Sequence, residues 1–426
     1  MKISRYNFCV PNENGTSIIY NTLRNTYTRI NTKKYNSIIK NIDEKHISDE
    51  LVYDIRVLLE NGVLLKDDQD ELLFLKNQYF EKCYNSSSYN FTIIPTLDCN
   101  LKCDYCFIDQ KSIYMSDFII QKVIQYIVSI INNKHQYLKH FNLKWFGGEP
   151  LLHPKAIEKI SCSVIKTCDS YDIKYHSMVY TNLTVINSEI INALKKSRVT
   201  HINTTLDGYA KDNDTRRRSK DGKDYFETII NNIKLLKRSH FNINIQVNID
   251  KRNINQIKEL VLFLKNERIV DGRSVTIGFN LVNDNSNIYN KEILYSYNNK
   301  SVLDKIDSFY KELEINIPHY MPTQCLSCLA LANNTAIVDP NGCLYKCYKD
   351  SKTNLSYGNI IDNESISEAK YLNQIYDPFK NYKCINCNVF PICYGGCPNF
   401  GNDENICSLK HILSYKIQRA FGEYND

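Results

Sequence analysis

A chain of 426 residues with 43% hydrophobic residues, few Gly and Pro and no repeat period has room for two or three domains around a large core, and no part of it is composed like a disordered tail. The formal net charge of +6 is mild for this length and Lys and Arg are scattered among Asn and Tyr, so the charge gives no argument for a nucleic-acid partner. Met1–Tyr6 has no apolar core followed by small residues, and no run approaches the roughly eighteen apolar residues of a membrane span, so a cytoplasmic chain with no membrane partner is expected.

Residues 1–75 read as a small module. Tyr6–Val10, Ser17–Tyr20 and Tyr27–Ile30 have strand character, with a turn at Pro11–Gly15. Helical patterns follow at Thr32–Ile42 and after Ser48, which can cap a helix with Leu51, Ile55, Leu58 and Leu59 on one face, ending at Asn61-Gly62. Three strands followed by helices resemble the winged-helix element of enzymes that modify ribosomally made peptides. The resemblance implies that a leader peptide adds as an extra strand along the third strand, a main-chain mode of recognition. A structural cap on the next domain is the alternative.

From 88 to 318 strand-like and helix-like segments alternate. Strands are expected at Phe91–Pro95, Leu143–Phe146, Tyr175–Thr181, Ile202–Leu206, Ile243–Ile249 and Val275–Leu281. Helices are expected at Ile119–Ile131, Lys155–Cys168, Ile190–Leu194, Phe226–Leu236 and Ile254–Leu264. Such alternation implies a parallel sheet with helices outside it, an α/β fold.

The chemistry-bearing segments follow the strands. Cys99, Cys103 and Cys106, spaced CxxxCxxC, come directly after the first. A cubane 4Fe-4S cluster normally takes four thiolates, so three on one loop would hold it and leave one iron without a protein ligand. A zinc site needs a fourth ligand, and no histidine stands close by. After the second strand come Gly147, Gly148 and Glu149, where two glycines let the backbone approach a ligand and a carboxylate can accept bonds from an ammonium; a turn before the next helix would also use the glycines. Thr181-Asn182 follows the third strand, and Thr205-Leu206-Asp207-Gly208 the fourth. Gln246, Asn248 and Asp250 alternate on the fifth and can share a face.

Residues 319–426 hold nine of the 16 cysteines: Cys325, Cys328, Cys343, Cys347, Cys384, Cys387, Cys393, Cys397 and Cys407. A chain with no signal peptide and unevenly placed thiols points to metal rather than disulfides. Pro340-Asn341-Gly342 makes a hairpin turn between Ala336–Val338 and Leu344-Tyr345. A zinc ribbon on Cys384, Cys387 and two later thiols is the alternative for this segment. Cys9, Cys83, Cys162 and Cys168 sit in ordinary strand or helix patterns and are expected as buried small hydrophobes.

Taken together, the cysteine loop and the Gly147-Gly148-Glu149-Pro150 segment resemble the radical S-adenosylmethionine (SAM) superfamily, and the C-terminal block resembles its SPASM extension. The resemblance implies a partial (β/α)6 TIM-like barrel over residues 88–318, preceded by the winged-helix-like module and followed by a cysteine-rich iron-sulfur domain at 319–426. It implies that the open iron binds the amino and carboxylate groups of SAM and that an electron from the cluster releases a 5'-deoxyadenosyl radical. Gly147, Gly148 and Glu149 would hold the SAM amino group, Tyr105 would lie beside the adenine, and Thr205 and Asp207 would contact the ribose. Asn213-Asp214-Thr215-Arg216-Arg217 resembles a segment whose arginine reaches the SAM carboxylate; Arg217 fits the spacing, Arg216 is its rival, and a charged surface loop is the alternative. One auxiliary 4Fe-4S cluster would use Cys325, Cys328, Cys347 and Cys397, and another Cys384, Cys387, Cys393 and Cys407. Cys343 is one more than this pattern needs. No side chain stands out as a general acid or base.

The reading so implied is a maturase that installs a thioether or carbon-carbon crosslink in a ribosomal precursor peptide, supplied with electrons by an external donor such as a flavodoxin or ferredoxin. A sulfatase-maturating formylglycine-generating enzyme shares the barrel and cysteine tail but lacks a module like residues 1–75. A non-catalytic iron-sulfur scaffold would have no use for an amine-binding glycine turn.

Overall fold

The computed structural model describes residues 1–12, 14–42, 48–282, 291–295, 299–314, 328–348, 355–362, 377–397, 410, 414–417 and 420–421. The chain forms two compact units, Met1–Tyr84 with Pro318–Ala332 and Tyr376–Asp426, and Asn85–Ile317 with Asn333–Ile375.

In the first unit, strands β1 (Lys2–Ile3), β2 (Asn7–Pro11), β3 (Thr16–Asn21), β4 (Thr26–Asn31) and β5 (Leu64–Leu65) form two antiparallel sheets, β1-β5 and β2-β3-β4. Helices α1 (Thr32–Lys40), α2 (Val52–Glu60) and α3 (Glu71–Cys83) accompany them. Asn31 caps α1, accepting from the Lys33 and Lys34 amides. Ser48, expected as a cap, precedes a 3-10 turn and its side chain makes no cap bond. Helix α3 has no counterpart in the sequence reading, because Leu72-Leu73-Phe74-Leu75 is apolar without a helical period. Asp70 starts it by accepting from the Leu72 and Leu73 amides at 2.9 and 3.0 Å. It runs across position 75, the expected module boundary, because Leu75, Tyr79 and Cys83 are buried in a core that also holds Tyr6, Leu331, Phe390 and Tyr394. The first 84 residues thus share their core with the C-terminal cysteine block.

The second unit is α/β, as expected. Strands β6 (Ser88–Ile93), β8 (His140–Trp145), β9 (Lys174–Tyr180), β10 (Val199–Thr205), β12 (Asn242–Ile249) and β13 (Val275–Leu281) pair in parallel in that order. The short strands β7 (Leu101–Cys103) and β11 (Arg217–Ser219) pair with each other. Between the long strands run α4 (Asp117–Lys134), α5 (Pro154–Ser170), α6 (Ser188–Lys196), α7 (Lys211–Arg216), α8 (Phe226–Arg238) and α9 (Ile257–Asn266), with α10 (Lys300–Glu312) after the last. The hairpin after the barrel segment joins the same sheet: β14 (Thr335–Val338) lies parallel to β6, followed by β15 (Cys343–Tyr345) and β16 (Gly358–Asn359).

Local chemistry sets these elements. Ser116 accepts from the Ile119 amide to start α4, and Ile120, Val123, Ile127 and Ile131 then fall on one buried stripe. Each long strand alternates, as in β8, where Phe141, Leu143 and Trp145 are buried with the helices and His140, Asn142 and Lys144 are only half-buried. Parallel sheets are usually apolar on both faces. Here the face turned away from the helices is polar, with Asn142 bonded to Asn90 at 3.1 Å, Asn244 to Asn203 at 3.1 Å and Thr276 to Asn244 at 3.0 Å. Among the described residues no helix is long and apolar enough to cross a membrane.

A candidate cofactor site beyond the parallel strands

The cysteine segment is built as half of a two-stranded ribbon. Leu101, Lys102 and Cys103 on β7 face Ser219, Arg218 and Arg217 on β11, and the Asp104 amide donates to the Arg216 carbonyl at 3.0 Å. The Cys99 sulfur accepts from the Leu101 amide at 3.4 Å and from Asn182 Nδ2 at 3.7 Å, and the Cys106 sulfur from Gln110 Nε2 at 3.9 Å. N–H donors on cluster sulfurs tune a cluster's reduction potential. Asn182 also donates to Asn100, and Asn100 to Thr184. Asn100 and Gln110 carry no sequence motif, and only their neighbourhood to the cysteines could have marked them.

Gly147 and Gly148 press against the backbone leading into Cys99. A Cβ on Gly147, whose φ is +133°, would stand 2.6 Å from the Thr96 carbonyl oxygen, and one on Gly148 would stand 2.6 Å from the Asp98 carbonyl carbon. The Gly148 and Glu149 amides donate to the Thr96 and Asp98 carbonyls at 3.2 and 2.7 Å. The close approach that these glycines permit is therefore to the cysteine segment itself as well as to the adjoining space.

That space is a recess of about 160 Å³ whose lining includes Cys99, Cys103, Cys106, Gly147, Gly148, Thr181, Asn182, Thr205, Arg217 and Gln246. Glu149 is fully buried beside it and accepts from Thr181 Oγ1 at 2.7 Å and from the Asn182 and Leu151 amides at 2.7 and 3.0 Å. Burial pushes its carboxyl up to about 6 despite those bonds. Arg217 donates through Nη1 to the Thr205 carbonyl, while its buried Nε has no hydrogen-bond partner. Arg216 points elsewhere, into a buried ion pair with Asp250 at 3.0 Å. Asp207 is buried, its carboxylate accepting from the Asn248 amide at 2.8 Å and from the Tyr105 hydroxyl. Tyr105 and Asp207 are thus brought to each other, and neither lines the recess. Phe146 lines it, with ring centroids 6.1 Å from Phe107, 5.6 Å from Tyr180 and 4.4 Å from Tyr348, an aromatic group not foreseen from the sequence.

Burial pushes the Cys99 thiol up to about 12, with the Glu149 charge adding to it, and burial raises Cys103 as well. Neutral thiols become ligands by releasing their protons to solvent as the metal binds. Among the described residues no three His, Cys, Asp or Glu side chains are arranged to hold one metal ion. Three thiols lining one recess can each take a different iron of a multi-iron cluster. The buried carboxyl of Glu149 and the orphan Arg217 Nε suit an amino acid's ammonium and carboxylate.

The remaining cysteines divide. Cys328, Cys384 and Cys387 lie half-buried at the core of the first unit, and Cys393 is buried. Cys397 belongs to that unit and Cys347 to the other. Cys325 and Cys407 lie outside the described residues. Cys343 sits on β15, its sulfur accepting from Asn359 Nδ2 at 3.4 Å. Cys83 and Cys168 are buried, but Cys9 and Cys162 are exposed, contrary to expectation. Cys9 alternates with buried Val10 on β2, and Cys162 follows buried Ser161 on the outer side of α5. A Gly148→Ala chain should lose about 4 irons per chain on anaerobic reconstitution, the complement of one cubane, because its Cβ displaces Asp98; iron content equal to the parent's would contradict this packing.

Residues 93–264 match the radical SAM superfamily. The chain is 25% identical over 341 residues to the cysteine-type anaerobic sulfatase-maturating enzyme of Clostridium novyi, covering 72% of this chain and 88% of that one. It is 24% identical over 443 residues to the radical SAM cyclopropyl synthase TigE of Paramaledivibacter caminithermalis, covering 87% and 89%. Its fold is similar to that of Streptococcus suis SuiB bound to precursor peptide SuiA, with a TM-score of 0.53 at 16% identity, covering 94% and 96%. Cysteine loop, glycine turn and parallel sheet thus agree with these similarities, and over residues 93–264 the chain carries a radical SAM domain, consistent with a radical SAM enzyme.

Proposed function

We propose that this enzyme is a maturase that installs a crosslink, thioether or carbon-carbon, in a ribosomally made precursor peptide. The observation that carries the reading is the single recess shared by three thiols, the glycine turn and an arginine with an unpaired, buried Nε. In this reading Cys99, Cys103 and Cys106 hold a 4Fe-4S cluster, Glu149 accepts the SAM ammonium, and Arg217 Nε donates to the SAM carboxylate. When bound, the cluster and SAM supply a reductively generated 5'-deoxyadenosyl radical. The chain orients the cofactor, tunes the sulfurs through Asn182, Gln110 and the Leu101 amide, and excludes water behind the recess with buried Glu149 and Asp207. Phe146, Tyr180 and Tyr348 offer apolar walls to a substrate side chain, and a captured radical there would close a ring. Cys384, Cys387, Cys393 and Cys407 would bind an auxiliary cluster.

The leader would add to β4, an edge strand paired only with β3 among the described residues. Similarity to TigE over 87% of the chain, and to SuiB over 94%, includes more of it than the similarity to the sulfatase maturase, at 72%. This supports the peptide maturase over formylglycine synthesis.

Binding of SAM should follow the Glu149 charge. A carboxyl that keeps its proton up to about pH 6 presents its charged form only above it, so affinity rises through pH 6 and levels off, being about tenfold lower at pH 5 than at pH 7. Equilibrium binding across this range would show the rise in the parent and its loss in Glu149→Gln; an unchanged profile in the variant would contradict the assignment. With a short precursor peptide encoded beside the gene, reduced and reconstituted enzyme should form 5'-deoxyadenosine, and the amides of Thr26–Asn31 should become protected from hydrogen exchange. Absence of 5'-deoxyadenosine would contradict the enzyme reading, and unprotected amides with bound peptide would contradict the leader site.

A further inference from the structure

On the polar face of the parallel sheet two hydrogen-bonded relays run inward from β13 and stop at the recess that the front cysteines line. In the first, Thr276 Oγ1 donates to Asn244 Oδ1 at 3.0 Å, and Asn244 Nδ2 donates to Asn203 Oδ1 at 3.1 Å. In the second, Asn280 Nδ2 donates to Gln246 Oε1. Asn203 and Gln246 both line the recess, and both are half-buried. Each carboxamide oxygen is already taken, so each side chain turns its amino group to the recess. Among the described residues neither Asn203 Nδ2 nor Gln246 Nε2 has a hydrogen-bond partner. Hydrogen bonds in series polarise one another, which strengthens the donor at the end of each relay.

Two such donors suit a guest that accepts. Among the described residues no Asp or Glu lines the recess, so no carboxylate of the chain competes for them. Their place along the strands sets them apart from the groups assigned to SAM. The cysteine segment and the glycine turn follow the ends of β6 and β8. Asn203 stands two residues before Thr205 on β10, about 7 Å further from the strand ends. Gln246 is the register partner of Thr205 on β12. A group held by both therefore meets the cofactor from inside the sheet. An anionic guest is best met by a charged donor and an ammonium by an acceptor, whereas two neutral N–H groups match a neutral carbonyl. Phe146 and Tyr180 line the same recess and offer an apolar wall to the side chain beside that carbonyl.

We propose that Asn203 and Gln246 hold a main-chain carbonyl of the precursor peptide in the recess, and so fix which of the peptide's C–H bonds faces the cofactor. The inference rests on the maturase reading given under the proposed function and adds the contact that positions its substrate. A misplacement of about 1 Å can cost on the order of 100-fold in rate. With the grip lost, the radical takes its hydrogen atom elsewhere, and SAM is consumed without a crosslink.

The test compares the reconstituted parent with Gln246→Met and Asn203→Asp, each given the precursor peptide encoded beside the gene. Gln246→Met keeps the length of the side chain without its donor. Asn203→Asp keeps the acceptor for Asn244 and turns the recess-facing donor into an acceptor. Both variants should keep the parent's iron content and, within about twofold, its SAM affinity, while crosslinked peptide per 5'-deoxyadenosine falls about tenfold. If one variant loses iron, the other decides. An unchanged yield in a variant that keeps its iron would overturn the proposal. A tenfold loss of SAM affinity would make these residues cofactor ligands, and loss of iron from both variants would make them part of the fold; either result overturns it too. A parent that forms 5'-deoxyadenosine but no crosslinked peptide would contradict the maturase reading, and this proposal with it.

Discussion

The structure depends on how a short cysteine segment is clamped from two sides. On one side the Gly147-Gly148 turn packs so closely against residues 96–98 that neither position has room for a Cβ. On the other, β11 pairs with β7 and fixes the directions of Cys103 and its neighbours. A loop of this length would otherwise sample many conformations, at about 1–2 kcal/mol of backbone entropy per residue to be fixed. The clamp sets three sulfurs on one wall, and the sulfurs of Cys99 and Cys106 accept hydrogen bonds from the Leu101 amide, Asn182 and Gln110.

The parallel sheet supplies the platform. Its buried face anchors the helices, while its polar face leaves a lined space beside the recess. The amide pairs Asn90-Asn142 and Asn203-Asn244 satisfy one another across neighbouring strands, so a polar face inside an α/β fold costs few unpaired groups. Asp207 reinforces the join between sheet and cysteine segment: one oxygen meets the β12 backbone at Asn248 and the other meets Tyr105.

Much of this was legible in the residues. The six strands could be read from their apolar alternation, although β6, β8 and β10 begin about three residues earlier than expected, because Asn90, His140 and Asn142 point to the polar face and look like loop residues. The cysteine spacing and the glycine pair were conspicuous, but their mutual packing was not, since nothing local says what a glycine approaches. The ribbon was hidden because Lys102, Arg218 and Ser219 lack strand character. Helix α3 was hidden by its unbroken apolar run, and with it the core that the N-terminal residues share with the cysteine block. That Arg216 is held in an ion pair with Asp250 while Arg217 lines the recess is something only the fold reveals.

The central claim is that three thiolates leave one iron of a cubane open to an amino acid. Electron-nuclear double resonance on the reduced, reconstituted protein with SAM labelled by 15N at its amino group and 17O at its carboxylate tests this directly. Hyperfine coupling to both labels is predicted. A front-loop cluster that shows neither coupling, or zinc at Cys99, Cys103 and Cys106 in anaerobically prepared protein, would contradict it.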